Sequence, residues 1–457
     1  MSTTEEQLAV PALAIRSAQD IIGQRTAGKA IEEIFNVFHP APPRTELAEI
    51  FTPETAQQFL ERVARFSALL SAEDGYDQAL AKLDAAIEQA EGVRDQVLEE
   101  IYRKIRPIER SYRQIHLFFE NADPRDSVQR PPVEFYVFNA DTAAIRNDAE
   151  STTIAALDEF VQSRNDSFNF RQFICNLVVP GYVPDNVRKR LEDIASQWGM
   201  LLVGDLKDEK SFRQLSDQFR TDGGAYEFLK RPEDKAASDV VLAGFVKLRD
   251  RHWFEQPENG DADADLYGPA SMLFAGALAR TDRTTGGGIA QGPVGMIFGK
   301  LRGVERARIE PRISQMEHLS MERQIVTIIR NEDNDLCFVG SRSQAEDPNG
   351  VLKFFSSYRV LRYLERRMAV YLRRVAEQRL TRDLVKEQVR NPIEDFLEGE
   401  KKKGTIYSYD LDIDMDESKF AQGVLDISLE VLPVGPAETF LLKIDTPDFR
   451  PKTDGKE

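Results

Sequence analysis

Apolar side chains recur at three- and four-residue steps through the first part of the chain and at two-residue steps near its end. The first spacing marks one face of a helix, the second a strand with one face covered. "TPETAQQFLERVARFSALL" puts Phe59, Val63, Phe66 and Leu70 on one helical face, with Thr52 capping and Pro53 in the first turn. From Tyr76 to Asn121, residues Leu83, Ile87, Ala90, Val97, Ile101, Ile108, Tyr112, Ile115 and Phe119 keep the same steps. They predict one helix on the order of 70 Å long, at about 1.5 Å per residue. Pro107 is expected to kink it or split it near Arg103, because proline lacks a donor and crowds the preceding turn. A long antiparallel hairpin with the preceding helix, or a coiled coil, would cover the apolar face. Upstream, "TEEQLAVPALAIRSAQDII" and "KAIEEIFNVF" are modest amphipathic stretches, interrupted by Pro11 and followed by the linker-like "HPAPP" of His39–Pro43.

The texture changes after "NADPRDSVQRPP". "VEFYVFNA", "FRQFICNLVVPG" and "GMLLVGDL" read as buried strands, separated by helical patterns at "TTIAALDEFVQSR" and "PDNVRKRLEDIASQW". Strand, helix, strand, helix, strand is the order of a parallel α/β sheet. "RQIVTIIR" and "DLCFVGS", joined by "NEDN", read as a hairpin. Two arginine-rich helices follow, Ser356–Gln378 and Thr381 to about Glu400, the second closed by "KKKG".

Strict alternation closes the chain. In "TIYSYDLDIDMD", Tyr407, Tyr409, Leu411, Ile413 and Met415 oppose Asp410, Asp412 and Asp414. In "GVLDISLEVLPVGPAETFLLKI", Leu425, Ile427, Leu429 and Val431 alternate with Asp426, Ser428 and Glu430. A prolyl turn and then Phe440, Leu442 and Ile444 follow. A strand this close to a terminus frays unless something holds it. The pattern therefore predicts an α/β fold, α+β overall: an N-terminal helical region, a central mixed or parallel sheet, and C-terminal helices with strands. The expected divisions are 1–50, 51–122, 123–345 and 346–457.

Composition narrows the function. The 41% hydrophobic and 30% charged content is that of a globular protein, and no apolar run approaches the ~18 residues of a membrane span. The acidic opening "MSTTEEQLAV" has no signal pattern and Cys175 and Cys337 are too few for a disulfide framework, so a cytoplasmic location is expected. A net charge of −17 argues against nucleic-acid binding. From Arg359 to Arg390, however, ten Arg or Lys meet four Asp or Glu, a local +6 that leaves −23 on the rest. That strip is either a binding face or a solvated helix face with pairs such as Glu365 and its neighbouring arginines.

No catalytic, cofactor or metal pattern emerges. "GPVGMIFGKLRG" has Leu301 where a P-loop needs Ser or Thr and Val294 where its first Gly belongs. His39, His116, His252 and His318 lack metal-ligand spacing, neither cysteine sits in a CxxC pair, and "GSRSQ" fails the nucleophile elbow. Acidic pairs in a chain with 77 Asp and Glu say little about acid–base chemistry. A non-enzymatic role without cofactor is expected, with an α/β enzyme assembled from scattered residues as the rival class.

Several stretches in order resemble one family. They are "IERSYRQIHLFFENA", "LVVPGYVPDNVRKRLEDIASQWGMLLVGDL" and "DADLYGPASMLFAGALARTDRTTGGGI", in which Leu266–Pro269 is expected to open a helix. The terminal "GVLDISLEVLPVGPAETFLLKI" is shared more widely with contractile tail sheaths. Together they resemble the large subunit of the type VI secretion contractile sheath, TssC/VipB, in its shorter, divergent branch, over roughly Pro53 to Ile444. "PVGPAE" replaces a turn that is more glycine-rich in many members, which keeps a phage-tail-like or other contractile injection system as the alternative.

The resemblance implies a structural subunit that polymerises with a small TssB/VipA-like subunit around an Hcp-like inner tube. A baseplate would anchor the bacterial sheath to the envelope, and a ClpV-like AAA+ unfoldase would recycle it through an N-terminal helix, here Thr4–Ile22. Strand exchange between subunits is implied for Tyr407, Tyr409, Leu411, Ile413, Leu425, Ile427, Leu429, Val431, Phe440, Leu442 and Ile444. Inner-tube contact is implied for Arg359, Arg362, Arg366 and Arg373, with Leu361, Leu364, Met368 and Leu372 as the buried side of their helix.

Overall fold

A computed structural model describes residues 76–124, 133–138, 145, 151–166, 174–219, 226, 234–255, 265–284, 288–346, 350–376, 378, 381–414 and 416–438. The chain divides into two compact units, Met1–Lys104 and Ile105–Glu457. The expected helices at 4–22 and 52–70, and the expected strand at 440–444, lie outside the described residues.

Helix α1 runs Tyr76–Ala122 without interruption, so the expected break at Pro107 does not occur. The Ser111 hydroxyl donates to the Pro107 carbonyl within the same turn. Its sequence is rich in Ala, Glu, Gln, Leu and Arg, all strong helix formers, which offsets one lost backbone bond. In the second unit its last turns bury Leu117 and Phe118. Glu109 reaches Arg249 at 2.8 and 2.9 Å, and the neighbouring guanidiniums of Arg249 and Arg113 hold its carboxyl down at about 2.

The central sheet has five strands in the order β1 (Asn176–Val179), β2 (Leu201–Asp205), β3 (Asp239–Ala243), β6 (Val326–Arg330), β7 (Leu336–Val339). The first three pairings are parallel and the last is antiparallel. Every residue of β2 and β3 is buried, because helices cover both faces. Leu201 and Val203 face a core with Leu273, Phe274, Ala277 and Leu278 of α5 (Ser271–Arg283), which follows the short α4 (Phe212–Gln218) in chain order. Leu202 faces the other way, onto α2 (Thr152–Asp166) and α3 (Asp185–Gln197) through Ile154, Val161, Val187, Leu191 and Ile194. The continuous apolar run read as a buried strand thus serves two cores, one on each face, rather than one core and solvent. Leu266–Pro269, expected to open a helix, is instead β5, paired antiparallel with β4 (Phe245–Arg249); α5 begins two residues on, at Ser271.

"VEFYVFNA" is not a strand among the described residues. Val133 and Phe135 pack with Phe118, Ala122 and Met272, while Phe138 joins the core of α2 and α3. Its side chains take alternate sides as a strand's would, yet no ladder joins Val133–Phe138 to a neighbour. Periodicity reports where side chains go, not whether the backbone is in hydrogen-bonding register.

Buried charge ties the sheet to its helices. Arg188 of α3, with 2% of its side chain exposed, makes two bonds to Asp239 at the start of β3. Gly204 permits this, since a Cβ there would lie 2.9 Å from the Arg188 guanidinium. Asp205 ends β2 and accepts from the backbone N–H of Gly181 at 2.9 Å and of Ser271 at 3.0 Å, joining the turn after β1 to the start of α5. Burial pushes its carboxyl up to about 6.

The C-terminal residues build a further core of their own. Helix α6 (Phe355–Val375) contributes Val360, Leu364 and Val375, and α7 (Asn391–Lys402) contributes Ile393 and Leu397. The expected second arginine-rich helix is a short turn at Arg382–Val385, a wider π turn at Lys386–Arg390, and then α7. It closes as expected, with Gly404 in the left-handed region at φ +75° just past the lysine run.

Candidate assembly interfaces

Strands β8 (Ile406–Asp414) and β9 (Asp426–Pro433) form a two-stranded antiparallel sheet, linked by the short helix α8 (Glu417–Ala421). Tyr409 stands opposite Val431, Leu411 opposite Leu429, and Ile413 opposite Ile427. Within one chain, β8 is therefore what holds β9. One face of the pair packs on α6 and α7: Leu411 and Ile413 are each 6% exposed, and Leu425, Ile427, Leu429 and Val431 are half-buried against the same core. Tyr409 is half-buried and donates its hydroxyl to Glu398 at 3.1 Å, whereas Tyr407 is 71% exposed. Phe440, Leu442 and Ile444 lie outside the described residues.

Apart from Tyr407, the described apolar interface candidates on β8 and β9 are thus already covered, wholly or in part, by their own chain. What the pair leaves open is different. Among the described residues neither strand has a second neighbour, so each presents an unpaired outer edge. Past β9 the chain is pinned to the central domain by Glu438. Its carboxylate takes two bonds of 2.8 Å from Arg342, which hold it below the usual carboxylate range.

The basic strip is rearranged by folding. Arg359 is 1% exposed and pairs with Asp282 of α5 at 2.5 Å. Arg366 is half-buried and donates to the carbonyls of Trp198 and Gly199, just after α3. Arg362 pairs with Glu365 at 2.5 Å and its stem lies 3.2 Å from where a Cβ on Gly199 would be. Of the four, Arg373 alone is exposed. The expectation of one open face through Arg359, Arg362, Arg366 and Arg373 is corrected. They do share a side of α6, but its N-terminal half is turned toward the central domain, where arginine stems pack and guanidiniums cap carbonyls. Of the expected buried side, Leu364 is buried and Leu361, Met368 and Leu372 are half-buried. The exposed arginines of α6 are Arg367, Arg373 and Arg374.

Sequence reasoning missed the Arg188–Asp239 pair, since Arg188 reads as one more charge on an amphipathic helix. The signal available was Gly204 inside an otherwise branched strand, a mark of close approach. Among the described residues, no three His, Cys, Asp or Glu side chains converge as metal ligands. No helix there is long and apolar enough to cross a membrane.

Comparisons with known proteins agree with this architecture. A chain of the anti-feeding prophage baseplate superposes with a TM-score of 0.51 at 19% identity, covering 73% of this chain and 79% of that one. Further likenesses include an extracellular contractile injection system, the PVC sheath complex in its contracted state (TM-score 0.48, 14% identity, 65% and 75% covered). A sheath tail protein from Desulfitobacterium hafniense gives a TM-score of 0.39 at 12% identity, covering 62% and 57%. No curated protein matches the sequence. The model of "Type VI secretion system TssC/VipB, central domain" matches residues 100–342, the span from the middle of α1 to just past β7. With more than half of its length matched, this chain belongs to the TssC/VipB family of type VI secretion contractile-sheath proteins.

Proposed function

We propose that the chain is the large subunit of a type VI contractile sheath, pairing with a small sheath subunit and polymerising as a helical tube around an inner tube. Supporting this, beside the family match, is the β8–β9 pair, packed on one face and open at both edges. Strand addition at those edges supplies main-chain hydrogen bonds, and the same edges would be a liability in a lone protein. Contraction is then rigid-body movement of subunits about joints that stay linked. The work comes from packing, so no catalysis and no cofactor enter the proposal.

The remaining parts follow from the same reading. Domains 51–122, 123–345 and 346–457 are proposed as helical, central and C-terminal modules. Inner-tube contact is proposed for Arg373, on the same side of α6 as Arg362 but about three turns further on, in place of the buried Arg359. A recycling unfoldase acting on Thr4–Ile22, a baseplate, and a bacterial cytoplasmic location complete the picture.

Electron microscopy of the full chain co-expressed with the gene beside its own tests the reading. The expected result is hollow tubes in which β8 and β9 have gained strands from neighbouring chains. Tubes whose hairpin edges stay unpaired would contradict strand addition, and a soluble monomer that never assembles would contradict the whole proposal.

A further inference from the structure

The outward face of the β8–β9 pair is built of carboxylates that oppose one another. Asp410 stands opposite Glu430 and Asp414 opposite Asp426, with Asp412 between them opposite Ser428. All five are exposed. Like charges directly across an antiparallel pair destabilise it. Lys419 of α8 relieves only one end, 3.0 Å from Asp414 and 2.6 Å from Asp426. Among the described residues, Asp410, Asp412 and Glu430 have no cation within ion-pair distance.

The same chain carries the complement. Arg367 and Arg374, both exposed, are seven residues apart on α6 and so fall about 20° from one another around the helix. Neither meets a carboxylate among the described residues. Arg367 lies close enough to Lys403 for the two charges to repel, and Lys402 beside it is exposed. This face is turned by about 120° from the Arg362–Arg373 side, so the two sides can meet different partners.

We propose that the acidic face of the β8–β9 pair docks on the Arg367–Arg374 face of α6 in another copy of this chain. The inference rests on the sheath reading, since only a polymer brings many copies into register. Two unlike patches of one chain make a head-to-tail contact, which propagates as an open helix instead of closing as a dimer. A contact of exposed charges also re-forms readily at a new register, because each pair is weak and screened.

A charge-reversal cycle on the full chain tests this by sedimentation velocity at ~20 mM and ~300 mM salt. The hairpin form carries Asp410→Lys, Asp412→Lys and Glu430→Lys; the helix form carries Arg367→Glu and Arg374→Glu. Wild type should self-associate at low salt and dissociate at high salt. Each single form should lose at least about tenfold in association constant. The combined form, and an equimolar mixture of the two single forms, should recover it, which no misfolded variant would do. Reversing the hairpin makes the chain less acidic, so its loss of association runs against the effect of net charge. A wild type that stays monomeric at low salt, single forms that associate like wild type, or a combined form that does not recover would each overturn the contact. Tubes from wild type together with a failed cycle would sink this contact and leave the sheath reading standing; absent tubes would sink the sheath reading itself.

Discussion

The central sheet and the C-terminal hairpin use the same strand chemistry to opposite ends. In β2 and β3 every residue is buried, both neighbours are supplied by the chain, and even the charges, Arg188 with Asp239, find partners inside. In β8 and β9 one face is covered, the other is acidic, and neither outer edge is paired among the described residues. The first arrangement is complete in one chain. The second is stable enough to form, through Leu411 and Ile413 on α6 and α7, but leaves its outer-edge backbone groups outside any ladder among the described residues. A subunit that must fold alone and then join a lattice needs both.

The comparison breaks most sharply at the buried ion pair. Replacing Asp239 with Ala strands Arg188 without its partner, and should cost about 3–5 kcal/mol in chemical denaturation. Phe274→Ala, in the core shared by β2 and α5, should cost about 3–5 kcal/mol through the cavity it leaves. Both should act on the whole second unit. Ile413→Ala removes a buried side chain from the hairpin's own core and should cost about 2–4 kcal/mol. Its effect should appear as early loss of protection in residues 406–433, ahead of the sheet.

A pH profile sharpens the same contrast. Asp205 is buried and its folded pKa is raised to about 6, above the value of an unfolded aspartate. The native state therefore holds its proton over a range where the unfolded state has lost it. That contribution to stability is fully present below about pH 4 and declines as pH rises to about 6, by at most about 3 kcal/mol. Asp205→Asn should flatten the profile there, at some cost in stability because its amide N–H₂ faces a backbone donor. An unchanged slope would assign the titration to another group.

Much of the central fold was legible because strands and helices there differ in period. The α2, α3, β1, β2, β6 and β7 segments were each marked by their own spacing and by turn residues such as "NEDN". What was not legible depended on tertiary placement. Arginines at 359, 362, 366 and 373 share a helical face in any reading, but a sequence does not say that this face meets the residues after α3. Likewise "VEFYVFNA" alternates without pairing, and Pro107 sits inside a helix strong enough to run through it. The C-terminal strands were legible as strands, while their mutual pairing was not, because β8 and β9 are joined through a helix and not a tight turn.

A smaller effect probes the open edge. Successive residues of a strand point their N–H groups in opposite directions, so of Ser428→Pro and Leu429→Pro one strikes the ladder with β8 and the other the free edge. One variant should lower the stability of the hairpin. The other should melt closer to wild type and fail to assemble. Smallest of all, Arg373→Glu should change thermal stability by less than about 0.5 kcal/mol, as an exposed substitution, and affect only the tube-filled sheath.

Hydrogen exchange of the lone chain and of the assembled sheath, compared residue by residue, tests the account most directly. Amides of β2 and β3 should be strongly protected in both states. In the lone chain only about half the amides of β8 and β9, those bonded across the pair, should be slow, and assembly should slow the remainder. Edge amides of 406–414 and 426–433 that exchange at the same rate before and after assembly would contradict the claim that this hairpin is the joint.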